Sequence, residues 1–288
     1  MSHFQKAFDK DLLLEKLQKL KEKSDSSQVP LEQTSKPLPQ SGKLTTCEKC
    51  DGMKYIATGK DDYGYDTYSP CDCMIAQNQA RAFSSSQITL AFKQKNFDTF
   101  EIGDTHSAIK MAYHTSRGYA NQFQKVKDTD FNGICILGNV GSGKTHLLMA
   151  ICNQIMENQY MYNGYPRTPS VLYFPWVEGF NGLKDNLPSL EENINKMQKV
   201  DVLYIDDMWK GRKEPTDFQI EQAFAVLNYR YIERLPTLIS SEKDIDAMCK
   251  IDEAIGSRIN EMCRNFRIIL KGGRELNYRL REDSNGTI

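Results

Sequence analysis

The sequence predicts an α/β protein whose main domain has a largely parallel five-stranded sheet and is preceded by a smaller N-terminal module. The length of 288 residues corresponds to about two average domains. From Asn96 onward, short apolar runs alternate with helical stretches, which is the pattern of an α/β domain with parallel strands. The strand candidates are residues 133–137, 171–174, 202–205, 237–240 and 266–270, and the helical stretches between them include residues 144–156, 217–233 and 252–262.

The composition is that of an ordinary globular protein. There are 37 Lys and Arg residues against 38 Asp and Glu residues, and 40% of the chain is hydrophobic, which excludes a wholly disordered chain and a uniformly basic nucleic-acid wrapper. No run approaches the ~18 apolar residues that cross a bilayer, and the first apolar patch is too short for a signal-peptide core. We therefore expect a cytoplasmic protein with no membrane partner, in which the eight cysteines are thiols or metal ligands.

Residues 1–86 are predicted to consist of three parts. Phe4, Phe8 and Leu12 recur at intervals of four residues, which predicts an amphipathic helix over residues 1–23. Residues 24–46 contain three prolines and no aromatic residue, which predicts a flexible linker. A cysteine-containing module follows over residues 47–86, with a helix expected at residues 74–83.

Four cysteines of this module are spaced as metal ligands. A C-x-x-C pair and a C-x-C pair flank a loop rich in Gly, Tyr and Asp, and Gly52 suits a tight turn after the first pair. Four thiolates satisfy the tetrahedral preference of Zn²⁺, and metal binding would supply folding energy that so small a module lacks. Redox pairs or free thiols are the alternatives. The predicted zinc ligands are Cys47, Cys50, Cys71 and Cys73.

The strongest motif fits the phosphate-binding pattern G-x-x-x-x-G-K-[ST]. A strand candidate leads into it and an apolar helix follows, so backbone N–H groups and the helix N-terminus can surround a phosphate. We expect Lys144 to reach the β- and γ-phosphates of ATP and the Thr145 hydroxyl to ligate Mg²⁺. A glycine-rich turn without a ligand is the alternative. The residues are Gly138, Asn139, Val140, Gly141, Ser142, Gly143, Lys144 and Thr145.

Two carboxylates follow the strand candidate at residues 202–205. The carboxyl ends of parallel strands are where α/β sheets bind ligands. We expect Asp206 to hold Mg²⁺ and Asp207 to polarise the attacking water. A solvated acidic turn is the alternative. Together with the upstream motif, the pair predicts a nucleotide hydrolase or switch.

From these motifs onward, the chain resembles the AAA+ ATPases and, within them, bacterial and phage replicative-helicase loaders of the DnaC/DnaI type. The resemblance covers about residues 97–281. Its residues are 138–145, 205–207, 228–231, 236–242, 255–259 and 277–279. It implies an AAA+ domain over residues 96–288 without a C-terminal lid.

The resemblance also implies roles for single residues. At the end of the strand at 237–240, Ser240 and Ser241 are candidates for sensing the γ-phosphate, with Ser241 assigned the catalytic role, although Glu242 stands where a neutral amide is common. Arg258 is implied to be the arginine finger that enters a neighbouring subunit's ATP site, and Arg279 to be the sensor 2 arginine. The alternatives are a plain turn for the serines and a solvated helix position for Arg258. Arg230 is a candidate interface residue, with a surface helix position as its equal competitor.

Residues 175–199 are longer than a minimal connection between strands. They place Trp176 and Phe180 near Lys184, so stacking and phosphate attraction are both available to single-stranded DNA. The alternative is a crossover helix whose aromatic side chains belong to the core.

The resulting hypothesis is an ATP-dependent loader that delivers the replicative hexameric DNA helicase onto single-stranded DNA. Residues 1–86 would bind the helicase, and the AAA+ domains would self-associate. ATP, Mg²⁺ and Zn²⁺ are the expected cofactors. One alternative is a transposition ATPase resembling IstB, although that family typically lacks a zinc cluster. The other is a nucleotide-gated DNA-binding switch with negligible hydrolysis.

Overall fold

The structure is a computed structural model that describes residues 47–102, 106–163, 165–211 and 214–280. These residues belong to one structural unit, residues 47–288. The helix predicted over residues 1–23 and the linker predicted over residues 24–46 lie outside the described residues, so both stay predictions.

The cysteine-containing module folds as a β-hairpin followed by a helix. Strands β1 (Tyr55–Lys60) and β2 (Asp66–Pro70) pair antiparallel, and α1 spans Asp72–Ser85. The Asp61 carboxylate accepts hydrogen bonds from the Tyr63 and Tyr65 amides, both at 2.9 Å, and so fixes the turn. The sequence predicted only a loop here. Tyr and Thr residues, which favour strands, occur in both β1 and β2 and explain the difference.

The remaining elements alternate between helices and strands. Before the sheet come α2 (Leu90–Lys93) and α3 (Ser107–Val126). The elements that follow are β3 (Ile134–Gly138), α4 (Lys144–Glu157), β4 (Tyr160–Tyr162), β5 (Tyr165–Arg167), β6 (Val171–Pro175), α5 (Trp176–Asp185), α6 (Leu190–Lys199), β7 (Val202–Met208), α7 (Asp217–Ile232), β8 (Thr237–Ser241), α8 (Ile245–Ile251), α9 (Glu253–Met262) and β9 (Arg267–Leu270).

Five of these strands form one parallel sheet in the order β6-β7-β8-β3-β9. The predicted fold class is therefore confirmed, and each of the five strand candidates is a strand of this sheet. The carboxyl ends of β3, β7 and β8 lie side by side, which brings their following loops to one edge. Pairing of β7 with β8 is irregular between Ile205 and Met208, so the strand bulges where the two carboxylates stand.

Two apolar cores cover the two faces of the sheet. Ile134 and Ile136 of β3 lie in the core that contains α3 and α4 residues, whereas Cys135 and Leu137 lie in the core with residues of α5 to α9. This alternation follows from the two-residue period of a strand, and burial on both faces explains the continuous apolar run. The long helix α3 was not among the predicted elements.

Helix α1 is anchored in the main domain. Ala82 belongs to the core that contains α4, and the Ser86 carbonyl accepts a hydrogen bond from the Tyr173 amide at 2.8 Å. The cysteine-containing module is therefore tied to the sheet through α1. Among the residues that the structure describes, no helix is long and apolar enough to cross a bilayer.

Candidate nucleotide-binding site

The loop between β3 and α4 has the backbone geometry of an anion-binding turn. Gly138 and Gly143 have φ angles of 127° and 86°, a region that residues with a Cβ rarely adopt. A Cβ at Gly138 would also clash with the Leu270 carbonyl. Because α4 begins at Lys144, its N-terminal amides face the loop.

Lys144 lies folded against this loop. Its Nζ donates hydrogen bonds to the carbonyl oxygens of Gly138 at 2.9 Å and Asn139 at 2.7 Å. Burial lowers the pKa of Lys144, while the carboxylates of Asp207 and Glu242 oppose that shift. The side chain is thus a preorganised cation at the bottom of the site.

A cavity of about 540 Å³ opens above the loop. Charged side chains of both signs line it, with Lys144 and Lys210 beside Asp206, Asp207 and Glu242. The loop residues that line it are Val140, Gly141, Ser142, Gly143, Lys144 and Thr145, and the wall also contains Phe100, Tyr278 and Arg279. The structure thus brings the two motifs together around one space.

Asp206 is buried at the centre of a network of hydroxyl groups. Its Oδ1 accepts hydrogen bonds from Tyr204 and Ser240, both at 2.5 Å, and from Thr145 Oγ1 at 3.1 Å. Its Oδ2 accepts one from the Tyr173 hydroxyl at 3.1 Å. Burial raises the pKa of Tyr173 and Tyr204, and the Asp206 charge adds to the shift, so both phenols stay protonated and donate.

The pair of Thr145 and Asp206 fits a magnesium ion. Mg²⁺ prefers hard oxygen ligands, usually one or two protein groups beside phosphate oxygens and water. Hydroxyl and carboxylate oxygens stand 3.1 Å apart at the lip of the phosphate loop, which is the donor set that this ion takes.

Asp207 stands beside the cavity in a strained conformation. Its φ angle is 52°, which non-glycine residues adopt rarely. Its amide donates to Ser240 Oγ at 2.7 Å, and its side chain is 33% exposed. The bulge therefore turns the first carboxylate inward and the second toward the cavity.

Lys210 bridges two carboxylates at the cavity wall. Its Nζ lies 2.8 Å from Asp207 Oδ2 and 3.0 Å from Glu242 Oε1. The hydrogen bond to Asp207 is the main reason that the pKa of Lys210 lies above its ordinary value, so the amine is charged at neutral pH. Glu242 lines the cavity as part of an ion pair.

Our assignment of the catalytic role to Ser241 does not fit the structure. Its hydroxyl donates to the Met208 carbonyl at 2.6 Å and accepts from the Lys243 amide at 3.1 Å, and the side chain is buried. Ser240 instead contacts Asp206. Because successive strand residues point to opposite faces, only alternate positions of β8 face the carboxylates.

The segment that contains Arg279 covers the phosphate loop. The Tyr278 amide donates to the Gly141 carbonyl at 2.9 Å, and its hydroxyl donates to Glu101 Oε2 at 2.6 Å. Arg279 follows directly and lines the cavity with an exposed side chain. The predicted sensor 2 residue is therefore within the nucleotide cavity.

Arg258 lies apart from the cavity of its own chain. Its guanidinium packs over the rings of Phe224 and Tyr231 on α7, at 5.3 and 5.6 Å from their centroids, and Nη1 donates to the Ala254 carbonyl. Among the described residues, Nε finds no hydrogen-bond partner. Arg258 is thus half-buried on a face formed by α7 and α9.

Arg230 is not an interface residue in this structure, and it is not a surface residue either. It is fully buried and donates to the Thr237 hydroxyl and to backbone carbonyls of the chain around β7 and β8. Burial lowers its pKa to about 9, which still leaves it charged at neutral pH. The acceptors are the carbonyls of Met197, Gln198, Val200, Asp201 and Pro236.

The aromatic residues assigned to DNA contact are core residues. Trp176 and Phe180 are 2% and 3% exposed, and their rings pack against each other at 4.5 Å. Lys184 is exposed, with its Nζ over the Phe218 ring. Stacking on DNA bases by Trp176 and Phe180 is excluded, because α5 turns both of them toward the sheet.

The four predicted zinc ligands converge. Their sulfur atoms all lie within 4.8 Å of one another, with Cys47 Sγ 3.8 Å from Cys71 Sγ and Cys50 Sγ 3.5 Å from Cys73 Sγ. Sulfur atoms on a tetrahedral zinc ion with bonds of about 2.3 Å are roughly 3.8 Å apart. The donor set and its spacing therefore fit Zn²⁺.

Tyr173, Tyr204 and Lys210 were not among the predicted site residues. Each tyrosine places a hydroxyl group within a buried, mostly apolar run, and a buried tyrosine needs a hydrogen-bond partner. Lys210 follows the carboxylate pair closely. These features are visible in the sequence, but the sequence does not show which residues the side chains contact.

Comparison with known proteins gives the family. The model of the bacterial DnaA ATPase domain matches residues 92–263. This chain belongs to the bacterial DnaA ATPase-domain family. The chain is also 39% identical over 250 residues to the phage-like element PBSX protein XkdC of Bacillus subtilis (strain 168), and the match covers 85% of this chain and 90% of that protein.

Solved structures share the fold of this family member. The crystal structure of DnaI superposes with a TM-score of 0.51 at 22% identity, over 65% of this chain and 96% of that chain. That of the DnaC helicase loader gives 0.50 at 21% identity, over 64% of this chain and all of that chain. The resemblance to a DnaC/DnaI-type AAA+ fold is thereby confirmed, and the domain is of the ATPase type.

Proposed function

We propose that this protein is an ATP-dependent loader that binds a replicative hexameric DNA helicase and delivers it onto single-stranded DNA. The observation that carries the proposal is a nucleotide site of the ATPase type, with Asp206 and Asp207 at its edge, in a chain with the DnaC/DnaI fold. A cytoplasmic location suits this role.

The nucleotide site is proposed to bind ATP with Mg²⁺. The loop amides and Lys144 would hold the phosphates, and Thr145 and Asp206 would hold the metal, whose charge stabilises the transferring phosphoryl group. Asp207 would orient the attacking water, because its carboxylate is the more exposed of the pair. Arg279 would contact the nucleotide from the wall of the cavity.

Completion of the site is proposed to need a second copy of the chain. Arg258 does not line its own cavity, and its Nε lacks a hydrogen-bond partner among the described residues, which suits a guanidinium that acts on a neighbour. Self-association through the face formed by α7 and α9 would place it there. Isolated chains are then expected to hydrolyse ATP slowly.

The cysteine-containing module is proposed to bind zinc and, with residues 1–46, to bind the helicase. Its hairpin exposes Tyr63, Tyr65 and Tyr68 by 87%, 73% and 62%. Residues 47–73 contain six acidic and three basic side chains, so this surface suits a basic protein partner better than nucleic acid.

A pull-down tests the loader proposal. Tagged full-length chain should retain the replicative helicase of its host or phage, and the retained amount should differ between ATP and ADP. Deletion of residues 1–70 leaves α1, which is anchored in the core, and should abolish retention while nucleotide affinity persists. No retention with either nucleotide would contradict the loader function, and retention by the truncated chain would contradict the assigned docking region.

A nucleotide-gated switch with negligible hydrolysis is the second candidate. It is favoured by one observation, which is that Lys210 neutralises Asp207 in the cavity. ATPase rates of Asp207→Asn and Arg258→Ala, with and without single-stranded DNA, separate the two. If neither substitution changes an already negligible rate, the switch is correct and the enzyme is not.

A further inference from the structure

The turn at the end of β7 fixes the backbone of Lys210. Asp207 and Trp209 both have left-handed backbone angles, with φ of 52° and 66°. The Lys210 amide donates to the Asp207 carbonyl at 3.0 Å, which closes the turn. The Trp209 ring is 4% exposed and packs against Trp176 at 4.6 Å. Strain of this kind persists only where the surroundings impose it, and it concentrates at functional sites.

The charges around Lys210 would oppose binding of ATP if Lys210 were absent. Asp207 and Glu242 would then present two carboxylates to a polyanionic nucleotide. With Lys210 between them, at 2.8 and 3.0 Å, the group of three carries one net negative charge. Glu242 therefore serves as an anchor for the Lys210 cation.

Lys210 lies next to the expected position of the γ-phosphate of a bound ATP. Under the proposed function, Asp207 orients the water that attacks the γ-phosphate, so this phosphate lies next to Asp207. Lys210 contacts Asp207 directly and lines the same cavity. Its side chain is 42% exposed, so it is free to turn from one oxygen acceptor to another. An ammonium group makes charge-assisted hydrogen bonds to phosphate oxygens as well as to carboxylates, so the γ-phosphate can replace Asp207 as the acceptor.

We propose that Lys210, held by Glu242, is the residue that distinguishes ATP from ADP in this site. With ATP bound, the amine contacts the γ-phosphate and leaves Asp207 free to orient water. With ADP bound, it remains on Asp207 and keeps that carboxylate neutralised. The inference rests on the proposed nucleotide site, but it does not depend on helicase loading.

Nucleotide affinities test the proposal without reference to turnover. The probes are ADP and a β,γ-methylene analogue of ATP, each with Mg²⁺, titrated into the full chain by calorimetry. Lys210→Met should weaken binding of the ATP analogue by about tenfold to one hundredfold, the range for loss of a charge-assisted hydrogen bond, and binding of ADP by less than about threefold. Lys210→Arg should retain most of the preference, and Glu242→Gln should reduce it partly.

Lys250→Met is the matched control, since Lys250 is an exposed lysine outside the cavity. It should leave both affinities unchanged. Equal losses for the two nucleotides in Lys210→Met, or no loss for either, would overturn the assignment to Lys210 while leaving the nucleotide site intact. Wild-type protein that binds neither nucleotide would contradict the proposed function and this inference together. Thermal unfolding of each variant checks that the fold is preserved.

Discussion

Asp206 shows how a single carboxylate is positioned by the whole sheet. The hydroxyl groups that donate to it come from α4, β6, β7 and β8. Each element fixes one donor, so the carboxylate has little freedom to turn. Preorganisation of this kind reduces the entropy that a metal ligand would otherwise lose when it binds.

Because Tyr204 is buried beside Asp206, we expect the stability of the protein to depend on pH. Burial keeps Tyr204 protonated in the folded chain, whereas its phenol ionises above pH ~10 once unfolded. The unfolded state then binds fewer protons, so the free energy of unfolding falls as pH rises, by about 1.4 kcal/mol per pH unit for one such group. Urea unfolding between pH 9 and 11 should give a shallower fall for Tyr204→Phe than for wild type. Equal slopes would show that Tyr204 does not titrate in this way.

We expect the substitution Arg230→Ala to lower the free energy of unfolding strongly. Arg230→Ala would leave several buried carbonyls without a donor and open a cavity, which is expected to cost about 3–5 kcal/mol. Urea unfolding measures this loss.

Arg234→Ala is the matched control for Arg230→Ala. Arg234 pairs with Asp130 on the surface, where both side chains are more than 60% exposed, so its loss should cost less than about 1 kcal/mol. Similar values for the two variants would argue against a structural role for Arg230.

At the scale of elements, the ends of β3, β7 and β8 and the segment after β9 build the cavity together. The Tyr278 amide joins that segment to the phosphate loop, and the bulge in β7 separates the directions of Asp206 and Asp207. The β1–β2 hairpin, by contrast, presents tyrosines to solvent, and none of them lines the cavity. The proposed nucleotide chemistry and the proposed partner binding therefore involve different elements of one unit.

The cysteine cluster predicts one zinc ion per chain. Cys73→Ser removes one of four sulfur ligands and should abolish stoichiometric zinc in metal analysis of the purified protein. The helical content of the main domain should persist, because its two cores do not include the cluster.

Cys249→Ser provides the comparison for the zinc measurement. Cys249 is a free cysteine on α8 that is not part of the cluster, so zinc content should be unchanged. Zinc that persists in Cys73→Ser would mean that the four sulfur atoms do not act as one site.

At the scale of the whole molecule, the proposed self-association predicts that two inactive variants restore ATPase activity when they are mixed. The Lys144→Ala chain has a defective nucleotide site but an intact Arg258. The Arg258→Ala chain has an intact nucleotide site but no arginine finger. In an equal mixture, half of the nucleotide sites and half of the Arg258 side chains are intact, so about one interface in four has both. The mixture should therefore recover about a quarter of the wild-type ATPase rate.

The complementation experiment has its own control. Arg264→Ala alters an exposed arginine that packs over Phe131 and should retain the wild-type rate. Absence of recovery in the mixture, together with full activity of Arg258→Ala, would show that no finger is supplied by a neighbour.

Much of the fold could be predicted because it depends on local patterns. Strands β3, β6, β7 and β8 are runs that are buried on both faces, and the glycines of the phosphate loop have backbone angles that other residues rarely adopt. The β1–β2 hairpin was not predicted because its strands are mostly exposed and bury no continuous apolar run. Helix α3 was not predicted either, although its buried residues recur at helical spacing, as Ile109, Ala112 and Ser116 do.

The sequence by itself determined the fold class, the position of the phosphate loop, the paired carboxylates and the four cysteines, because each is encoded by residue type and spacing along the chain. Only the tertiary structure decided which side chains face which space. It buried Trp176 and Phe180 and turned Ser241 away from the cavity. It also joined Lys210 to Glu242, two residues on neighbouring strand ends, because their contact depends on how β7 and β8 pair and not on their distance in sequence.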